Sequence, residues 1–109
     1  MNYYTDIIPL PLAEKLKEKG MPIIIAYDTE WSNATFGACF DWFANQGIFI
    51  DLYPIYNATT HKYSTDWEGD VVSDLISPDD VMCYETSKPS WHEAAEAAVE
   101  KALELIKED

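Results

Sequence analysis

The chain has 109 residues, 48% hydrophobic and 14% aromatic, which is enough apolar surface for one core and too little chain for two. Twenty acids stand against seven lysines, with no arginine anywhere, for a net charge of −13. Phosphate backbones and anionic lipids are bound through clustered Lys and Arg, so this balance argues against direct nucleic-acid binding and against a membrane surface.

In chain order, residues 1–8 are an apolar, aromatic lead-in expected to pack on the domain. A helix is expected at about 11–19: Pro11 suits a first turn, Leu12 and Leu16 lie one turn apart, and Gly20 is placed to end it. Met21 to Tyr27 carries three successive isoleucines and is expected as a short buried strand, followed by a polar turn at 28–32. A second helix fits 35–46, capped by Thr35 or Asn33, with Phe36, Cys39, Phe40 and Phe43 on one face and Trp42 widening it. Gly47 stops that helix.

Residues 48–56 are β-branched and aromatic and are expected as a strand, with Ile48, Ile50 and Leu52 facing one way and Phe49, Asp51 and Tyr53 the other. Pro54 places part of this strand at an edge or a bulge. Asn57 to Thr60 turns the chain, and 61–67 returns, making a hairpin. Val71, Val72, Leu75 and Ile76 extend the sheet or form a helical turn, and 81–85 is a further candidate strand. Ser90 and Glu93 match a capping box, after which Trp91, Ala95, Ala98, Val99, Ala102, Leu103 and Ile106 share one helix face. The expectation is one α+β domain over 1–109: a small, mainly antiparallel sheet, with a hairpin at about 48–67, packed against helices at about 11–19, 35–46 and 90–107.

Cys39 and Cys83 have no motif spacing and are expected as buried thiols. No positively charged, apolar leader opens the sequence, and no segment approaches the roughly 20 apolar residues of a membrane span. The sequons at Asn33 and Asn57 then carry no weight, and the expected location is the cytoplasm.

Three stretches (PLPLAEKLKEKG, TFGACFDWFANQGIFIDLYP and SWHEAAEAAVEKALELI) resemble short uncharacterised proteins encoded by phages and prophages of Bacteroides-type gut bacteria. The matching residues are Asp41-Trp42, Gly47 to Asp51, Ser90-Trp91 and Glu93 to Ala95, and 57–88 match poorly. The resemblance implies an accessory protein of a mobile element and carries over no catalytic residue.

Candidate chemistry is sparse. Asp66, Glu68 and Asp70 alternate like Ca²⁺ ligands, but the sixth and twelfth loop positions hold Val71 and Ser77 instead of Gly and Glu. Acid–base pairs could be drawn from Asp28, Glu30, Asp41, Asp51, Asp79 or Asp80, of which Asp41 and Asp51 are expected to be partly buried. His61 and His92 share no metal spacing with each other or with the cysteines. Four glycines leave no phosphate-binding loop. No cofactor and no metal are expected.

From Tyr63 to Thr86 seven acids and no lysine interleave with Trp67, Leu75, Ile76 and Tyr84. Acids beside apolar anchors are how a surface meets a Lys/Arg-rich partner, and they also describe a solvated loop end. The expected protein-binding residues are Asp66, Trp67, Glu68, Asp70 and Asp74. The expected function is a non-enzymatic accessory protein that binds a protein partner with a basic surface. The alternatives are a DNA-mimicking inhibitor of a host nucleic-acid enzyme and an unrecognised hydrolase. A homodimer is the further assembly to weigh, marked if Trp31, Tyr53 or Trp67 cluster in the open.

Overall fold

The computed structural model describes residues 3–73 and 88–106, with backbone alone at Ser64 and Thr65. After a 3-10 turn at Tyr3–Thr5 come α1 (Leu10–Glu18), β1 (Ile25–Ala26), β2 (Trp31–Ser32), α2 (Phe36–Ala44), β3 (Ile48–Asn57), β4 (Lys62–Ser73) and α3 (Trp91–Leu105). The fold is α+β, with two antiparallel pairs among the described residues, β1–β2 and β3–β4, and helices over one face of the larger pair.

Capping chemistry sets the helix ends. In α1 the Pro lies in the first turn, and Leu12, Ala13 and Leu16 are buried. Its C-terminus closes as a Schellman motif: Gly20 N–H bonds the Lys17 carbonyl, Met21 N–H bonds the Leu16 carbonyl, and Gly20 sits at φ 104°. In α2 the Thr35 hydroxyl accepts from Ala38 N–H, and in α3 the Ser90 hydroxyl accepts from Glu93 N–H. α3 runs 91–105 rather than to 107. Ile106 leaves the helix in an extended conformation yet still packs against the core.

Residues 21–27 correct the expectation of a buried strand. Only Ile25–Ala26 is strand, paired with Trp31–Ser32. Ile23 is buried, while Ile24 is 67% exposed, because extended backbone turns alternate side chains to opposite faces and one face here is uncovered. The polar turn is shorter than expected. It closes through Thr29 and Glu30, with Glu30 at φ 53°, so that Trp31 and Ser32 already belong to the returning strand.

The larger hairpin also exceeds its expected range, since β4 continues past residue 67 to Ser73. Its ladder pairs Ile48 with Ser73, Ile50 with Val71, Leu52 with Gly69 and Pro54 with Trp67, and the register shifts between Pro54 and Tyr56. Pro54 therefore does stand beside an irregularity, as its missing N–H requires. Residues 74–87, which hold the candidate strand at 81–85 and Cys83, lie outside the described residues.

One side of β3–β4 forms the core with the helices. Ile48 and Val71 are fully enclosed, and Ile50, Leu52 and Trp67 pack against the same cluster. α3 adds Trp91, Ala94, Ala95, Ala98, Val99, Ala102 and Leu103, and α2 adds Phe36, Cys39 and Phe43. Small side chains let α3 approach closely: a Cβ on Gly69 would come 2.8 Å from Leu52 Cδ2 and 3.4 Å from Ala98 Cβ. The aromatic lead-in packs as expected, with Tyr3 stacked on Trp91 at 5.0 Å between ring centroids.

Candidate functional site

The period of two along β4 sorts the expected binding residues between two faces. Trp67 alternates with Gly69 and Val71 and joins the core cluster, so it is not a surface anchor. Glu68 and Asp70 point to the opposite face, paired across the ladder with Tyr53 and Asp51. Asp66 lies at the register shift, and Asp74 lies outside the described residues. A sequence stretch that reads as a hairpin end is thus the middle of a long strand.

The outer face of the hairpin consists of Phe49, Asp51 and Tyr53 on β3 and Glu68, Asp70 and Val72 on β4. Phe49 and Val72 stand opposite each other and are 50% and 37% exposed. One step along, Asp51 faces Asp70, a like-charge pair that costs the ladder stability. Asp70 Oδ1 is shielded from solvent and has no hydrogen-bond partner among the described residues, which adds a desolvation cost. Burial first, then a hydrogen bond to Asp70 and the charges of Asp70 and Glu68, push the Tyr53 phenol well above its ordinary range and keep it neutral. No lysine occupies these positions. Phe49 and Asp51 were absent from the expected binding set, although the alternation read along 48–53 already placed them on one face with Tyr53.

The other candidates separate in space. Asp41 and Asp51 are exposed rather than partly buried. His61 takes a left-handed conformation in the β3–β4 turn, with Nδ1 3.4 Å from the Tyr56 hydroxyl. His92 Nε2 lies 2.7 Å from Asp6 Oδ2, and both side chains are roughly half exposed, at 42% and 48%. This pair ties the lead-in to the start of α3 and lies apart from a groove beside that helix. The groove, about 490 Å³, is bounded by Lys88, Pro89, Glu93, Glu96, Ala97 and Glu100. Within it, burial and the nearby Glu93 and Glu100 raise the Glu96 carboxyl, against a lowering by His92. Burial pushes the Cys39 thiol up to about 12, so it is neutral and unreactive.

Among the described residues, no three His, Cys, Asp or Glu side chains are placed to hold a metal ion, and no helix is long and apolar enough to cross a membrane. The three aromatics that would mark a dimer do not cluster: Trp31 is 45% exposed on the small hairpin, Tyr53 is on the outer face and Trp67 faces the core. No family model, curated protein or solved structure matches the chain.

Proposed function

We propose that this protein acts by binding another protein through a basic surface on that partner, without catalysing a reaction. The observation that carries the reading is the Asp51–Asp70 opposition on the outward side of β3–β4. The pair adds nothing to the core and costs stability, and a partner's cations would relieve it. Exposed Phe49 and Val72 beside it supply the apolar contact that such an interface needs. The resemblance to phage-encoded proteins supports a role as an accessory of a mobile element, acting in the bacterial cytoplasm.

The test is affinity capture from a bacterial lysate at low and high salt, with the native chain beside the Asp51→Asn/Asp70→Asn double variant. The expected result is a protein retained at low salt by the native chain and lost both at high salt and with the variant. Equal retention by the two chains, or turnover of a substrate by the purified protein, would overturn the reading.

DNA mimicry has a different observation in its favour. Glu93, Glu96, Glu100 and Glu104 recur along one side of α3. Two of the four are already matched, by Lys15 at 3.2 Å and Lys101 at 3.0 Å, so the row is a poor substitute for a continuous phosphate strand. Inhibition of a nuclease that is abolished by Glu93→Gln/Glu96→Gln would favour this reading over the first.

A further inference from the structure

We infer that the outer face of the β3–β4 hairpin is a docking surface for an extended segment of a partner protein in which an apolar residue stands two positions from an arginine. This rests on the reading just proposed and names the chemistry of the partner.

The face is graded along its length. Phe49 and Val72 form an apolar step, Asp51 and Asp70 an anionic step, and Tyr53 and Glu68 a mixed one. Successive steps are two residues apart, about 6.8 Å along a strand. An extended partner presents its same-side residues at that same interval, so an apolar side chain on Phe49–Val72 sets the next one over Asp51–Asp70. Directly opposed side chains stand about 5 Å apart at Cβ, close enough for one group to reach both carboxylates. A guanidinium does this better than an ammonium, because its planar fork donates to two acceptors at once and its face can stack on an adjacent ring. Phe49 and Tyr53 flank Asp51 on its own strand and provide such rings.

Asp51 is exposed and Asp70 half-buried, so an incoming cation meets the pair from the Asp51 side. A second copy of this chain is a poor occupant, since it has no arginine and would bring its own acids.

The experiment uses the full chain and three short peptides in which threonine alternates with valine and, respectively, arginine, lysine or glutamine. Amide chemical-shift mapping locates binding, and titration gives affinity. The expected result is shifts confined to residues 49–53 and 68–72, with arginine binding about tenfold tighter than lysine and glutamine not binding. Asp51→Asn/Asp70→Asn abolishes the preference, while Glu14→Gln/Glu93→Gln, which removes the same net charge elsewhere, leaves it intact. Equal affinity for arginine and lysine on this face would overturn the arginine inference and leave the basic-partner reading standing. Binding elsewhere, or no binding by either cationic peptide, would sink both. Concentration-dependent self-association that covers these residues would assign the face to a second copy and also overturn the inference.

Discussion

Asp51 and Asp70 face each other directly across the β3–β4 ladder, on the side turned away from the core. An opposed pair of like charges is a local cost that the fold carries without return. Neutralising either side chain, by Asp51→Asn or Asp70→Asn, should raise stability by about 0.5 kcal/mol. Thermal melts at low salt will show the gain, and it should shrink in high salt because screening weakens the repulsion being removed.

Gly20 tests backbone conformation without packing. A Cβ there would meet nothing within 4 Å, so the substitution Gly20→Ala changes only the energy of φ 104°. The expected loss is about 1 kcal/mol. Urea melts of the two proteins should share one slope and differ in midpoint.

Ser90→Ala removes the acceptor that holds Glu93 N–H at 3.2 Å and should cost about 1 kcal/mol. Thr35→Ala should do the same at α2, where the hydroxyl accepts from Ala38 N–H at 3.1 Å. The caps lie on different helices, so the double variant should lose the sum. Denaturant titration of the single and double variants checks this.

Glu96 links stability to pH. Its carboxyl is raised by burial and by Glu93 and Glu100, so the folded chain holds this proton more tightly than the unfolded one. The contribution is present at pH below the ordinary glutamate value and fades as pH rises through the raised one. Glu96→Gln should therefore stabilise the protein at pH 7 by a few tenths of a kcal/mol, since the site is largely open to solvent, and confer no advantage near pH 3. Melting temperatures of both chains across that range decide it.

Gly69 probes a close approach of α3 to the sheet. Alanine should be tolerated, because the nearest atom is the movable end of Leu52. Leucine should cost about 1–3 kcal/mol by pushing into Ala98 and the Ala94 carbonyl. A paired stability series, Gly69→Ala beside Gly69→Leu, checks the contrast.

The parts of this fold legible in the sequence were those set by neighbours along the chain. The caps at Thr35 and Ser90, the apolar faces of α2 and α3, the irregularity beside Pro54 and the alternation of 48–53 all follow from local chemistry. What escaped depended on distant partners. Gly69 lies within β4 where α3 packs close, and that same strand turns Trp67 inward. The burial difference between Ile23 and Ile24 depends on which face the helices cover. The Asp6–His92 contact joins residues 86 apart in sequence, a separation no pattern of spacing announces. Two of the six outer-face residues, Phe49 and Asp51, follow from the strand pattern carried across the hairpin rather than from the density of acids.

The enclosing role of α3 also bears on when the chain can fold. The helix that seals Phe36, Ile48 and Val71 is built from residues 91–105, the last of the described elements to leave a ribosome. Until it emerges, the growing chain presents aromatic and β-branched surface with no lid, and the Tyr3 ring has no Trp91 to stack on. Folding during synthesis is thereby held back until residues 91–105 have emerged, and the many acids repel neighbouring nascent chains through that vulnerable interval.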